Sequence, residues 1–490
     1  FSGGRAWVLA SGCFAFIFLV MANSSASLSR RRFLQYTGAG ALATATAGLP
    51  AQTGGNGRRE GPRNLIFLVA DGMNHGTLSL ANHFAEEFEG RTCEWLKLYT
   101  EGENLRHALV ETSSASSLVT DSAAAGSAWS CGRRINNGAL NVTPDGEALD
   151  PIFRHAKAAG KATAVVTTTR VTHATPASFL VHHPDRNEED IIAQKFLGNG
   201  YADIILGGGA RHFDPALRED GADFFAAFRA TGYTILSDRA ALLEAARDPG
   251  SSDRWLGTFW PSHLPYTLDR DQQASLAEQV PTLAEMTEAA LARLADSPEG
   301  FILQVEGGRV DHAGHANDGP AIIQDQLAFD ATIAVARRFQ AEHPDTLVIV
   351  TTDHGTGGAM LNGMGSRYND TTPLFANVQR VRTSFENLFE RLSVERSASE
   401  ARGLIGDLTG LALSPEQTAA VLAGLDSPYG SDAGAVLREA IFAFTGINFT
   451  STRHTGDLVE LVAFGPGSEA IPAYHENHQL RAVLRRELGI

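Results

Sequence analysis

From Arg63 onward the sequence alternates short apolar runs with longer segments of helical periodicity. The run at 64–70 (NLIFLVA) is apolar throughout, as expected for a strand that is buried on both faces of a sheet. Similar runs follow at 162–168, 301–305 and 347–351, with helix-like segments between them. This alternation predicts an α/β fold, a three-layer sandwich with a central, mostly parallel sheet flanked by helices.

The remaining elements are predicted from the same two periodicities. Further strands are expected at 106–111, 202–206 and 458–464, and helices at 151–159, 282–295 and 321–342. Residues from about 380 to 445 contain helical patterns and no strand-like run. We therefore predict a helical insertion at about 365–447 within a catalytic domain that spans residues 52–490.

Residues 1–51 have the composition of an export leader. The sequence at 29–34 (SRRRFL) is a twin-arginine pattern, and a mild apolar run and a small residue, Ala51, follow it. Met21 precedes the arginines at a suitable distance, so residues 1–20 are expected to be upstream sequence. The pattern predicts export by the twin-arginine machinery to the periplasm or the medium, and leaves open whether the leader is removed or kept as an anchor.

The net charge of −16 argues against nucleic acid as a dedicated partner. It allows an anionic substrate where metal ions or an arginine reverse the local field. Two of the three cysteines, Cys93 and Cys131, lie beyond the leader, so one internal disulfide is possible, although free, buried thiols are favoured. The sequence contains no Cys-x-x-Cys or Cys/His ribbon pattern, which argues against a structural zinc ribbon.

Acidic residues follow three of the predicted strands. Asp71, Glu306 and Asp353 each come directly after an apolar run or one residue beyond it. Ligands of open α/β sheets bind at the carboxyl ends of the strands, although any single acid there could instead cap a helix or belong to a turn. Asp311 and His315 are four residues apart, so a helical turn would place both on one face.

Imidazoles accompany these acids. His354 follows Asp353 directly, and His454 stands before the predicted strand at 458–464. Carboxylates mixed with imidazoles suit zinc, and carboxylates combined with a hydroxyl group suit magnesium. The distribution of these residues therefore predicts a site with more than one metal ion.

The segment at 119–130 (VTDSAAAGSAWS) supplies a candidate nucleophile. Ser122 would lie in the first turn of a helix, where unpaired N–H groups favour a bound phosphate. Thr120, Asp121 and Ser122 are also good N-cap residues, so the segment alone is equally compatible with a simple helix cap.

Six motifs follow one another along the chain, at 71–73 (DGM), 120–124 (TDSAA), 173–177 (HATPA), 306–312 (EGGRVDH), 353–354 (DH) and 454–456 (HTG). Taken together and in this order, they resemble the motifs of the alkaline phosphatases. With the strands that precede and follow them, the resemblance covers residues 64 to about 466.

The resemblance implies a cofactor set of two zinc ions and one magnesium ion per chain. The implied metal ligands are Asp71, Ser122, Thr175, Glu306, Asp311, His315, Asp353, His354 and His454. Asp311, His315 and His454 would bind a zinc ion that activates water. Asp71, Asp353 and His354 would bind the zinc ion that activates Ser122. Asp71 would also bridge to magnesium, together with Thr175 and Glu306.

The resemblance further implies that Ser122 forms a phosphoserine intermediate. Arg186 lies thirteen residues after His173, the spacing of the arginine that binds the substrate phosphate, and Asp121 would orient it. His173 and His312 stand where some members of the family carry Asp and Lys, and Thr356 stands where many carry His. We expect these three residues to act from outside the ligand set, by tuning the metal ions and the phosphate contact.

The predicted function is an exported alkaline phosphatase that hydrolyses small phosphomonoesters and releases inorganic phosphate. Alternatives are a phosphodiesterase or another ester hydrolase of the same superfamily, and a non-catalytic phosphate-binding protein. The chain has no Cys-x-Pro-x-Arg motif, which disfavours a sulfatase, and Arg186 favours the doubly charged group of a monoester. None of the implied ligands is missing, which disfavours the non-catalytic alternative. A homodimer is a further possible assembly.

Overall fold

The structure is a computed structural model that describes residues 61–490 except 103, 249, 395–396 and 428–430. The predicted leader at 1–51 lies outside the described residues. The strands are β1 (Asn64–Val69), β2 (Arg106–Glu111), β3 (Ala162–Arg170), β4 (Ile204–Gly208), β5 (Thr234–Leu236), β6 (Trp255–Thr258), β7 (Phe301–Glu306), β8 (Thr346–Thr351), β9 (Gly355–Thr356), β10 (Met360–Leu361), β11 (Ile447–Asn448), β12 (His454–Thr455), β13 (Val459–Phe464) and β14 (Tyr474–Glu476).

The described residues also form helices in every interval between the long strands. The α-helices are α1 (His75–Phe84), α2 (Glu94–Thr100), α3 (Ser122–Cys131), α4 (Ile152–Ala158), α5 (Ala174–Ser178), α6 (Glu189–Asn199), α7 (Phe224–Ala230), α8 (Arg239–Arg247), α9 (Thr267–Gln272), α10 (Ala274–Gln279), α11 (Leu283–Leu294), α12 (Arg309–Ala316), α13 (Gly319–Glu342), α14 (Thr371–Phe375), α15 (Phe385–Leu392), α16 (Ala398–Thr409), α17 (Pro415–Gly424), α18 (Ser431–Thr445) and α19 (Leu480–Leu488). None of the described helices is both long and apolar enough to span a membrane.

A ten-stranded sheet forms the centre of the fold, in the order β14-β2-β13-β8-β1-β7-β3-β4-β6-β5. Each neighbouring pair in this sheet is parallel except the two pairs that β13 makes with β8 and β2. The apolar runs at 64–70, 301–305 and 347–351 form the adjacent central strands β1, β7 and β8. The predicted α/β fold with a mostly parallel sheet is therefore confirmed.

Helices cover both faces of the central strands, and this explains why those strands are apolar throughout. Ile66 and Leu68 of β1 belong to one apolar core, and Leu65 and Phe67 belong to a second core on the opposite face. All four side chains are fully buried. Burial of a side chain of this size contributes about 1.5–3 kcal/mol, so the alternation of β1 between two cores fixes its place in the sheet.

Three short strands of the central sheet were not predicted. They are β5, β6 and β14, which have only three or four residues each and extend the sheet at its two ends. Runs of this length carry too little periodicity to be distinguished from loops. The two thiols predicted to be free are unpaired, with Cys93 buried and Cys131 partly buried.

The described residues from 365 to 446 are helical or irregular, with helices α14 to α18. The two-residue strands β10 and β11 pair where this helical segment leaves and rejoins the rest of the chain. Part of the segment has an apolar core of its own, which includes Leu388, Ile405 and Leu437.

Candidate functional site

The acids at the strand ends lie side by side, because β8, β1 and β7 are neighbours in the sheet. Val69, the last residue of β1, is in register with Glu306 of β7 and with Thr351 of β8. Asp71, Glu306 and Asp353 therefore emerge at the same edge of the sheet, and all three side chains are fully buried. Three carboxylates without exposure to water require compensating positive charge.

Ser122 lies next to the first group of potential ligands. Its Oγ is 3.2 Å from Nε2 of His354, and this nitrogen is 3.2 Å from Oδ2 of Asp353 and 3.7 Å from Oδ1 of Asp71. Asp71, Asp353 and His354 can all direct a ligand atom toward one point. Gly72 and His354 donate their backbone N–H groups to Oδ1 of Asp353, which leaves Oδ2 for another partner.

Asp311, His315 and His454 form a second group. Nδ1 of His315 donates to the Thr452 carbonyl oxygen and Nδ1 of His454 to the Thr120 carbonyl oxygen, each at 2.8 Å. Nε2 of each ring is then the nitrogen left for another partner, and the two Nε2 atoms face each other at 3.0 Å. Oδ2 of Asp311 is 3.4 Å from His315 and Oδ1 is 3.6 Å from His454. Acceptor atoms that converge in this way fit a cation.

Asp71 and Glu306 also belong to a third group, with His173 and Thr175. The Thr175 hydroxyl lies 3.4 Å from Oδ2 of Asp71, and the Thr169 hydroxyl donates to Oε2 of Glu306 at 3.0 Å. Oδ1 of Asp71 and Oε1 of Glu306 are buried and accept no hydrogen bond from any described residue. Such acceptors are rare in folded proteins, and a hydrated cation would satisfy them.

The pKa values of the acids in these groups also indicate that bound cations are needed. Burial and repulsion from Asp353 raise the pKa of Asp71 well above its ordinary value. Burial also raises the pKa of Glu306 to about 7 and that of Asp353 to about 6. For Asp311, burial is outweighed by His315 and His454, which lower its pKa. The residues of the chain therefore do not supply enough positive charge for the acids by themselves.

The nucleophile candidate begins helix α3. Asp121 is the N-cap, and its Oδ1 accepts a hydrogen bond from the backbone N–H of Ala124 at 2.9 Å. Gly126 allows α3 to pack closely on helix α5, since a Cβ atom there would lie 2.4 Å from Oγ of Ser178. The segment is thus a capped helix start, and Ser122 also faces the metal-ligand groups.

Arg186 lies against the same helix start. Its Nη1 donates to Oδ2 of Asp121 at 3.0 Å, and its Nη2 donates to Nε2 of His173 at 2.9 Å. Burial would lower the pKa of Arg186, but Asp121 raises it above its ordinary value. The guanidinium group is therefore fixed in place as a permanent cation.

The residues predicted to act from outside the ligand set contact the same groups. Thr356 donates to Oδ1 of Asp311 at 2.5 Å, and its hydroxyl is 3.3 Å from Nδ1 of His354. The ring of His312 is 5.6 Å from that of His173, measured between centroids. The structure brings all of the predicted site residues into one connected cluster.

Two nearby residues had no predicted role. The ring of His263 lies 4.2 Å from that of His312, and the guanidinium of Arg309 donates to Nδ1 of His312 at 2.9 Å. His263 comes from an irregular loop with no motif around it. Arg309 lies inside the motif at 306–312, and its position one helical turn before His312 is the signal that could have indicated the contact.

Comparison with known proteins gives one family. A profile described as alkaline phosphatase matches residues 62–490. Alkaline phosphatase 4 of Bacillus subtilis is 29% identical over 413 residues, which cover 83% of this chain and 84% of that protein. The repressible alkaline phosphatase of Saccharomyces cerevisiae is 36% identical over 317 residues, but the match covers only 55% of its length and 60% of this chain.

A solved structure agrees with this assignment. The crystal structure of Thermus thermophilus alkaline phosphatase superposes with a TM-score of 0.81 at 36% identity, and the match covers 90% of this chain and 96% of that chain. The similarity thus extends over the whole sheet and the segments that contribute the site. The chain therefore belongs to the alkaline phosphatase family of phosphomonoester hydrolases.

Proposed function

We propose that this hydrolase cleaves phosphate monoesters through a phosphoserine at Ser122, with two zinc ions and one magnesium ion bound beside it. The observation that carries the proposal is the position of the Ser122 hydroxyl. Its Oγ lies 3.2 Å from Nε2 of His354, at the N-terminus of α3 and beside three groups of converging ligand atoms. The unpaired N–H groups of a helix start favour an anionic phosphate next to this hydroxyl.

The donor atoms support zinc in two of the groups. Asp311 with His315 and His454, and Asp71 with Asp353 and His354, each combine imidazole nitrogen and carboxylate oxygen, the mixture that zinc prefers. When bound, two zinc ions would lower the pKa of water and of a serine hydroxyl, and would stabilise charge on the entering and leaving oxygens.

The donor atoms support magnesium in the third group. Arg186 can only donate hydrogen bonds, so Nε2 of His173 must accept one. Nδ1 of a neutral His173 then carries the proton and cannot bind a metal ion directly. Burial, with Arg186 as the next contribution, lowers the pKa of His173 to about 3, which keeps the ring neutral. Two carboxylates and the Thr175 hydroxyl, supplemented by water, are an oxygen set that suits magnesium better than zinc.

The side chains around Ser122 support a sequence of two displacements. The Ser122 oxygen attacks phosphorus, and the alcohol oxygen of the substrate leaves. Water then attacks the phosphoserine and inorganic phosphate is released. Arg186 presents its planar guanidinium to two phosphate oxygens, and Asp121 keeps it in that orientation.

The test is to replace Ser122→Ala and to measure both turnover and trapped phosphate. We expect no phosphate label on the protein and only slow residual hydrolysis. Ser130→Ala is the matched control, because Ser130 is a buried serine of the same helix whose Oγ accepts a hydrogen bond from the backbone N–H of Ile152. Near-normal turnover in Ser122→Ala, or a label on another residue, would contradict the proposal. Faster hydrolysis of diesters than of monoesters would contradict the substrate class.

The leader pattern supports a further proposal about location. The twin-arginine sequence at 29–34 is the signature of a pathway that exports folded proteins. Export after folding would allow the metal ions to be bound before the protein crosses the membrane. We therefore propose a periplasmic or secreted location for the mature protein.

A further inference from the structure

Arg309 is a buried cation in the first turn of α12, and three different groups surround it. Its guanidinium carbon lies 3.6 Å from the centre of the Tyr266 ring. Nη1 donates to Nδ1 of His312 at 2.9 Å, and Nη2 donates to Oε2 of Glu386 at 2.8 Å. The side chain is almost fully buried, so its position is well defined by these contacts.

The contact with Arg309 determines which nitrogen of His312 carries the proton. A guanidinium group has donors only, so Nδ1 of His312 must be the acceptor. The proton of the neutral ring then lies on Nε2, which can donate.

His312 lies beside the residues that would bind the substrate phosphate. Its ring is half-buried and makes an edge-to-face contact with His173, and His173 accepts a hydrogen bond from Arg186. A donor on Nε2 in this position can complement the negative charge of a phosphate group.

We propose that Arg309 is a positioning residue that fixes His312 as an Nε2–H donor to the substrate phosphate. This inference rests on the proposed function for the identity of the ligand. The guanidinium group of Arg309 contacts Tyr266, His312 and Glu386. It therefore acts on the phosphate through His312.

Glu386 extends this arrangement into the helical segment at 365–447. It lies in the first turn of α15, and the start of that helix is fixed to the rest of the domain. Ser384 donates to Oδ2 of Asp269 at 2.5 Å, and the backbone N–H of Phe385 donates to Oδ2 of Asp318 at 2.6 Å. The helical segment thus contributes, through Glu386 and Arg309, to the orientation of His312.

The first experiment reads the position of the proton directly. In protein labelled with 15N at histidine, two-bond proton–nitrogen spectra distinguish the Nδ1–H and Nε2–H forms, and His312→Gln identifies the His312 signals. We expect the Nε2–H form in the wild type and a mixture of forms in Arg309→Met. A wild-type His312 with its proton on Nδ1, or a protonated ring at neutral pH, would overturn the proposal.

The second experiment is a double-mutant cycle with inorganic phosphate as the probe. Arg309→Met should weaken inhibition by phosphate and raise KM roughly three- to tenfold, as for the loss of one hydrogen bond, with zinc content unchanged. In the His312→Ala background, which removes both the acceptor and the donor, the same change should have almost no further effect. Additive effects of the two substitutions would show that Arg309 does not act through His312.

Three further variants separate this role from general stabilisation. Arg254→Met removes an arginine that also lies over an aromatic ring, that of Tyr233 at 4.0 Å, and should leave phosphate binding unchanged. Glu386→Gln should change phosphate inhibition in the same direction as Arg309→Met, whereas Glu390→Gln, on the same helix, should not. The proton position tests Arg309 even if Ser122 is not the nucleophile, so the two proposals can fail separately.

Discussion

Asp121 performs two functions with two different oxygens, and substitutions can separate them. Oδ1 caps helix α3 by accepting from Ala124, and Oδ2 accepts from Arg186 and from the backbone N–H of Gly138. Asp121→Asn retains an oxygen for the cap but turns an NH2 group toward two donors. Asp121→Ala removes both functions.

The expected magnitudes of the two losses differ. Loss of an N-cap side chain costs about 1 kcal/mol of stability. A hydrogen bond to a charged group contributes about 1.5–3 kcal/mol, which corresponds to roughly ten- to a hundredfold in affinity. We therefore expect Asp121→Asn to weaken phosphate binding within this range with a small loss of stability. Asp121→Ala should show a similar loss of binding and a further loss of stability of about 1 kcal/mol.

The assay combines calorimetric binding of inorganic phosphate with urea unfolding of the metal-loaded protein. The binding constant is preferable to kcat, because release of product can limit turnover and a weaker phosphate contact would then raise kcat. Asp238→Ala is the matched control, because Asp238 caps α8 through the same type of bond, from Ala241 N at 2.9 Å. It should lose about 1 kcal/mol of stability and keep the wild-type affinity for phosphate.

Two patterns of results would refute this reasoning. If Asp121→Asn and Asp121→Ala both bind phosphate as the wild type does, Asp121 does not orient Arg186 for the ligand. If both variants lose affinity but also lose zinc, the effect arises from the metal groups and not from the arginine.

Three further outcomes follow from the structure. Arg186→Ala should weaken phosphate inhibition roughly ten- to a hundredfold and leave zinc content unchanged, and full inhibition at wild-type concentrations would contradict the assigned contact. In metal-free protein, burial raises the pKa of Glu306 to about 7, so the folded state keeps this proton above the pH at which the unfolded chain releases it. Relative to Glu306→Gln, the stability of the metal-free wild type should therefore fall as pH rises from about 4 to about 7, as measured by urea unfolding with a chelator present; a difference between the two proteins that does not change with pH would contradict this. Replacing Arg30 and Arg31 by Lys should block export, and normal appearance of the mature protein outside the cytoplasm would argue for another route.

The central strands and their terminal acids could be predicted because each strand is a local and continuous pattern. The run at 64–70 is buried on both sides, so its sequence shows an uninterrupted apolar stretch with Asp71 directly behind it. The same applies to Glu306 and Asp353. The edge strand β14 escaped prediction because it has three residues, and Tyr474 on it is 59% exposed.

The contacts around His312 could not be predicted from local patterns. Arg309 and Glu386 are 77 residues apart, and their ion pair exists only because α15 packs near the start of α12. His263 reaches the same place from an irregular loop. Such contacts depend on how distant elements pack, and periodicity carries no information about that packing.

The charges of the proposed site explain how a chain with a net charge of −16 can bind an anion. Five carboxylates, those of Asp71, Asp121, Glu306, Asp311 and Asp353, surround the proposed site and would be ionised with cations bound. While Ser122 keeps its proton, three divalent ions and Arg186 would exceed these charges by two. A phosphate monoester at alkaline pH is a dianion and neutralises that excess, whereas a diester is a monoanion and leaves one positive charge uncompensated. The same argument makes the preference for monoesters dependent on all three cations, because without one of them the excess would disappear.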